Sequence, residues 1–271
     1  MRIQLLGTGA ADGWPSLFCR CDACRGAREQ GGKNLRSRSS AIVDGLLKID
    51  FPPDTLHHVL TQNLDLSRVE HLLFTHGHAD HFAVDELQYL SWMFLPYEVE
   101  RPLHVVGPRD VLRRIQATPD YASLPLRLEA IAARQTAACG EYTVTAIEAA
   151  HAEQMECLNY LIARDGHTLL YATDTGWYAE ETWQFLEARR LDGVVVECTK
   201  GPEEGGYMAH LSIPQVIAFR ERLLASGALA PDAPVVTTHH SHLGGLLHEE
   251  LEQRLNPHGI QVGYDGMTLT I

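Results

Sequence analysis

The turn THGHADH, residues 75–81, constrains this chain more than any other stretch of it. It completes VEHLLFTH (69–76), whose apolar character predicts a buried strand. It leads into FAVDELQYLSWMF (82–94), whose apolar spacing predicts a helix. Imidazole is the commonest metal ligand, and residues two apart in an extended segment point to the same side. His76 and His78 can therefore grip one ion, while Asp80 and His81, entering the next element, can face a second ion beside it. Four ligand-type residues in six positions also suit a solvated polar turn. An apolar strand that delivers them into a turn is, however, where a site is built.

Paired ions need further ligands, and three residues stand at the ends of apolar runs. His151 closes TVTAIEAAH, Asp174 closes LLYATD and His239 closes VVTTH. Alone, each reads as a capping or hydrogen-bonded residue. With the turn they make five histidines and two carboxylates, enough for two ions sharing Asp174. A mixed nitrogen and oxygen set of this kind suits Zn²⁺, Mn²⁺ or Fe²⁺ without selecting sharply among them.

A second cluster lies in FCRCDAC, where Cys19, Cys21 and Cys24 can occupy three positions around a tetrahedral Zn²⁺. Six cysteines without a secretory signal point to metal binding rather than a disulfide framework. The fourth ligand could be Cys139, Cys157, Cys198 or a nearby histidine. TTHHSH offers His242: if His239 turns into the paired-ion site, a residue three places on can reach a loop packed beside it. The stretch from about residue 8 to residue 38 is too long for a plain connection, so such a zinc would hold it in place.

Other strands are predicted at 2–7, 39–45, 46–50 and 103–107, then consecutively in LRLEAIA, YTVTAIEAAH, CLNYLIAR and HTLLYATD. Helices are predicted at 108–117, 179–190, 213–224 and 246–255, strands at 192–198 and 234–239, and two short strands at the end. No repeat or linker divides residues 1–271, which read as one α+β domain of two packed sheets with helices outside. Against 35 acidic residues there are 22 basic ones, and the net charge of −13 repels phosphate backbones. Bulk nucleic-acid binding is not expected. A small anionic substrate is compatible with this charge if bound cations reverse the sign locally. No apolar run approaches the ~20 residues of a membrane span, and MRIQLLGTGAADG reads as a strand and turn, not a signal peptide. A cytoplasmic protein follows as the expectation, with apolar edge strands that could pair in a homodimer.

The order HxHxDH, later His, later Asp, last His resembles the metallo-β-lactamase fold superfamily. That resemblance implies a four-layer αββα sandwich with the site at one edge between the sheets. His76, His78 and His151 would hold the first metal, Asp80, His81 and His239 the second, with Asp174 bridging. GTGAADGWPSLFCRCDACRGAR, THGHADH, TTHHSH and GYDGM (263–267) further resemble the PhnP-type phosphodiesterases of the carbon–phosphorus lyase pathway. That likeness implies a structural zinc on Cys19, Cys21, Cys24 and His242. It also implies a Mn or Zn pair that cleaves small, cyclic phosphate diesters through a two-metal-bridged hydroxide. His210 in MAHLSIPQ sits just ahead of a helix that Ser212 and Gln215 can cap. By resemblance it is the general acid, with Asp80 the other residue assigned to catalysis.

Transfer-RNA 3′-end endonucleases and thioesterases share the core, as do cofactor-biosynthesis proteins of the pyrroloquinoline quinone type; a non-catalytic metal-binding protein is a further reading. An endonuclease needs a substrate-clamping arm and a basic surface that this chain lacks. The remaining candidates receive modest roles. Asp50 supports ligands by hydrogen bonding, and Arg36 and Arg38 meet a phosphate or form an exposed turn. His240 is a supporting or surface residue, Cys139 a turn residue, and Cys157 and Cys198 small buried hydrophobes. His57, His58, His104, His167, His248 and His258 fall outside any ligand set.

Overall fold

The computed structural model describes residues 1–203, 205 and 208–271. Its strands form two mixed sheets of seven. The first takes Arg2–Gly7 (β1), Ser40–Val43 (β2), Leu47–Ile49 (β3), His71–Leu73 (β4), Leu103–Gly107 (β5) and Leu126–Ala130 (β6). The second takes Thr136–Cys139 (β7), Tyr142–Glu148 (β8), Leu158–Arg164 (β9), His167–Ala172 (β10), Gly193–Glu197 (β11), Val235–Thr238 (β12) and Gln261–Val262 (β13). Thr268–Thr270 (β14) returns to pair antiparallel with β1.

Local chemistry explains the topology. Asp165 and Gly166 both have positive φ, and Arg164 pairs directly with His167. That is the two-residue hairpin whose backbone twist matches its flanking strands. By contrast β10 to β13 run parallel, as do β3 to β6. Strands such as VVVE and VVTT are buried on both faces, which is why they read as continuous β-branched runs rather than alternating ones.

Helices cover both outer faces. Asp22–Gln30 (α1) lies within the cysteine-rich loop, Thr55–Gln62 (α2) and Arg109–Gln116 (α3) follow, and Glu180–Glu187 (α4), Ile213–Ala225 (α5) and His248–Leu255 (α6) complete the set. Val111, Leu112 and Ile115 of α3 pack with Leu72 and Val105 outside the first sheet. Trp183, Phe219, Leu223 and Leu251 pack with Leu170, Val194 and Val235 outside the second. Between the sheets Ile3, Val43, Leu73, Val144, Tyr160 and Val195 form the central core. Each fully buried aliphatic side chain contributes about 1.5–3 kcal/mol. These layers are the αββα sandwich of the metallo-β-lactamase fold. No helix among the described residues is long and apolar enough to cross a membrane.

Two expected elements differ. The segment after the histidine turn is a 3₁₀ helix, Val84–Leu90, rather than an α-helix over 82–94. Only Leu87 within it is buried, while Trp92, Met93 and Phe94 point outward, so no continuous apolar stripe holds a longer helix on the sheet. The strand expected at 69–76 pairs as a strand only over His71–Leu73. Beyond it the chain stays close to the sheet, with the Phe74 N–H donating to the Val106 carbonyl, and then turns away at His76.

Candidate metal centre

His151, Asp174 and His239 follow the ends of β8, β10 and β12, and the turn of residues 75–81 follows β4, so these strand ends deliver the seven side chains to one edge of the sandwich, as open α/β sheets do at their carboxyl ends. His76 Nε2 lies 2.9 Å from His78 Nδ1, which lies 3.2 Å from His151 Nε2. A tetrahedral ion with ligands at 2.0–2.1 Å has ligand–ligand edges of about 3.3 Å, so the three nitrogens are spaced as ligands of one ion. Asp80, His81, Asp174 and His239 form the adjoining group. Asp174 faces both: Oδ1 is 3.5 Å from His151 Nε2, and Oδ2 is 3.0 and 3.2 Å from His81 Nε2 and His239 Nε2. All seven side chains expected in the paired site converge.

Supporting bonds hold the rings of His76, His81, His151 and His239. Asp50 Oδ2 faces His81 Nδ1 at 2.7 Å, and Asp50 also accepts from the Thr75 N–H and hydroxyl. Thr75 Oγ1 meets His76 Nδ1, Thr199 Oγ1 meets His239 Nδ1, and the Ala209 carbonyl faces His151 Nδ1. With one ring nitrogen engaged outward, the other is presented to the cluster, the arrangement that orients metal-bound histidine. The backbone is also forced: Asp50, Asp174 and His239 adopt φ of 58°, 49° and 53°. Non-glycine residues visit that left-handed region rarely, Asp and His more readily than most; here Asp174 and His239 join the cluster while Asp50 supports it from behind His81.

The residues present fit divalent ions. His81 Nε2 and His239 Nε2 are buried and face Asp174 Oδ2 at 3.0 and 3.2 Å without hydrogen-bond geometry, and such nitrogens are costly unless something binds them. Burial raises the Asp174 and Asp80 carboxyls, but the facing imidazoles outweigh it and keep both ionised. Burial also holds His76 and His151 neutral. His81 is the exception, because Asp174, Asp80 and Asp50 overcome its burial and favour the protonated ring. A place that draws a proton between carboxylates is a well of negative potential that a cation fills.

Over this cluster stands His210. Its ring centroid is 4.9 Å from that of His151 and stacks on His239 at 5.4 Å. Glu197 Oε1 lies 2.6 Å from His210 Nδ1. Burial lowers the histidine's pKa, but Glu197 reverses the shift and carries it up to about 9. Glu197 itself is fully buried and accepts from the Thr175, Thr199 and Leu211 N–H groups, which ties three segments of the site together. Sequence reasoning missed this residue. Its signal was the one that found Asp174: a carboxylate closing an apolar run, here DGVVVEC. Ser212 caps α5 as expected, its N–H donating to Gln215 Oε1.

The cysteine-rich loop gathers its own group. Cys19, Cys21, Cys24 and His242 lie within mutual ligand distance, with Cys21 Sγ 3.5 Å from His242 Nδ1 and Asp12 Oδ2 2.8 Å from His242 Nε2. Cys21, Cys24 and Ser16 donate backbone N–H groups to the sulfurs, a setting that favours thiolates. Cys24 is completely buried, which pushes its thiol up to about 12. Among the other thiols, Cys157 and Cys198 are buried as expected, and neither is in the loop group.

Several modest expectations need correction. His240 is not on the surface: it is buried, with Nε2 3.1 Å from Thr237 Oγ1. Arg36 is neither an exposed turn nor directed at a phosphate. Buried between the chain ends, it donates to Thr8 Oγ1 and the Gly263 carbonyl and meets His248. Arg38 pairs with Asp54. Cys139 closes a strand, fully buried, instead of occupying a turn. His104 does enter a ligand-type group, with His71 and that same Cys139.

Set beside known proteins, residues 47–240 match the family described as Beta-lactamase superfamily domain. The whole chain aligns at 27% identity over 277 residues with a Porphyromonas gingivalis protein named octanoyltransferase, and spans 52% of that relative, about half its length. Zn²⁺-bound PqqB from Methylobacterium extorquens is similar in structure with a TM-score of 0.78, at 19% identity over 100% of both chains. A diphosphatase from the PhnP family reaches 0.78 as well, at 21% identity over 100% of this chain and 97% of its own. At such identities the likeness speaks for the shared fold.

Proposed function

Since the chain belongs to the family of the β-lactamase superfamily domain and has its fold, we propose that it is a metal-dependent phosphodiesterase acting on small phosphate diesters, cyclic ones among them. The observation that carries this reading is the His210–Glu197 pair set against the seven-residue histidine and aspartate cluster. His76, His78 and His151 would hold one ion, Asp80, His81 and His239 another, and Asp174 would be shared. Zn²⁺ and Mn²⁺ both suit the set. When bound, such ions supply Lewis acidity toward phosphoryl oxygens and make water acidic enough to react near neutral pH.

The residues of the chain supply the rest. Departing alkoxide is a poor leaving group, so a positioned acid is worth about 10²–10⁴ in rate. Glu197 holds His210 Nδ1 and keeps the ring cationic, which suits it to give a proton to the departing oxygen. Two dications against the Asp80 and Asp174 carboxylates leave a net charge of about +2 at the cluster, which suits a phosphodiester anion in an otherwise acidic protein. Beside His151 opens a cavity of about 830 Å³ lined by residues 148–158, Met208 and Ala209. Its size suits a small molecule. Glu148, Glu153 and Glu156 on its walls disfavour a polyanion such as RNA.

The test uses protein stripped by chelation, reloaded with Zn²⁺ or Mn²⁺ and offered bis(p-nitrophenyl) phosphate and nucleoside 2′,3′-cyclic phosphates. Turnover restored by metal is the expected result, and its absence for every diester removes the reading. Acyl thioester hydrolysis is the second reading, favoured by the relative named octanoyltransferase. An octanoyl thioester in the same assay separates the two.

A further inference from the structure

Beyond the paired cluster and the cysteine-rich loop, the described residues bring two imidazoles and a thiol together at a third place. His71 opens β4, His104 lies in β5, and Cys139 closes β7 in the other sheet. Their ligand atoms lie within 4.8 Å of one another, and all three residues are buried. His71 Nδ1 and His104 Nδ1 are 3.1 Å apart, within the 2.9–3.2 Å spacing of His76, His78 and His151. Glu129 Oε2 meets His104 Nε2 at 3.0 Å. A proton on Nε2 leaves Nδ1 with its lone pair facing inward, as in carboxylate–histidine–metal arrangements. Backbone spacing assists: a Cβ on Gly140 would approach His71 Nε2 to 3.0 Å, so glycine after Cys139 lets the ring sit against the end of β7.

We propose that His71, His104 and Cys139 form a separate metal site that binds one borderline-soft divalent ion of the zinc class through two imidazoles and a thiolate. A hydrogen bond between two neutral rings would also give 3.1 Å, but it offers no reason for a thiol to face the pair. Binding forms the metal–sulfur bond and releases the thiol proton to solvent, with no change of oxidation state. Thiolate with imidazole selects zinc over manganese, magnesium or calcium. The site lies five residues before His76 along the chain, about 16 Å at strand rise, and so is distinct from the paired cluster. An ion there would tie β4 and β5 of one sheet to β7 of the other.

The experiment compares bound zinc per chain after equilibration with a small zinc excess and dialysis against metal-free buffer. Cys139→Ala and His104→Gln should each hold one zinc fewer than wild type, while His57→Gln, an exposed control, should match it. Equal zinc in wild type and both variants would mean a hydrogen-bonded pair only, and the same loss in the control would mean adventitious binding; either overturns the proposal. If the variants do not fold, zinc-edge anomalous scattering from wild-type crystals decides the matter. A peak among the three side chains supports the site, and none there removes it.

Discussion

At the residue scale the chemistry depends on side chains that hold other side chains. His210 stands over the cluster, but Glu197 fixes its ring and its proton. His210→Ala should lower diester turnover by about 10²-fold or more with metal content unchanged, whereas lost metal would reassign the residue to the ligand set. Asp50 touches His81 and Thr75 and is itself outside the metal-ligand groups. Asp50→Asn should weaken metal affinity about 10–100-fold, measured by competition with a chelator. The candidate ligands were legible because His76, His151, Asp174 and His239 end apolar runs and the others stand close together in the motifs THGHADH, CRCDAC and HHSH. Glu197 met the same criterion but had no partner nearby in sequence, so its task appears only when residues 197 and 210 are adjacent.

At the scale of elements, the cysteine-rich loop has little apolar packing of its own and gathers Cys19, Cys21, Cys24 and His242 instead, and we propose that these four hold a structural zinc. The helix α1 is only 9 residues long, too short for stability in isolation, and buries Ala23, Cys24 and Ala27. Its N-cap is Cys21, whose sulfur accepts from the Cys24 N–H. With zinc bound there, His242→Ala should lower the zinc content by one per chain, speed proteolysis within residues 8–38 and cost on the order of a few kcal/mol of stability. An unchanged digestion pattern would count against a structural zinc. The sequence marked this loop as needing a stabiliser, yet it did not reveal α1, because CRCDACRGAREQ carries too few apolar residues for a helical stripe. The segment 82–94 misled in the opposite sense. Its apolar residues have helical spacing, and much of that apolar surface faces outward.

At the scale of the whole molecule, buried neutral histidines make stability depend on pH. Burial, with nearby Lys48, lowers His58 to about 3, and burial with Arg36 lowers His248 to about 4, against an ordinary value of 6.5. Between those values the unfolded chain binds protons that the folded chain does not, so stability falls as pH drops from 6.5 toward 4. Each histidine contributes about 1.4 kcal/mol per pH unit in that window. Melting temperatures of the wild type should therefore decline across it, and His58→Gln should show a shallower decline. Equal slopes would mean that His58 is already charged when folded.

The sequence alone marked most of the strands and singled out the seven side chains that converge in one cluster and the four that gather in another, because residues at strand ends and short motifs are local patterns. It could not determine which carboxylate would hold His210, that Arg36 is buried between the chain ends, or that His71 and His104 would meet Cys139. Those contacts join residues 13 to 227 positions apart. Strand pairing puts His71 opposite His104, the stacking of the two sheets adds Cys139, and the loops beyond the strands bring Glu197 to His210 and Arg36 to Gly263, and no local periodicity records which distant segments will share that space.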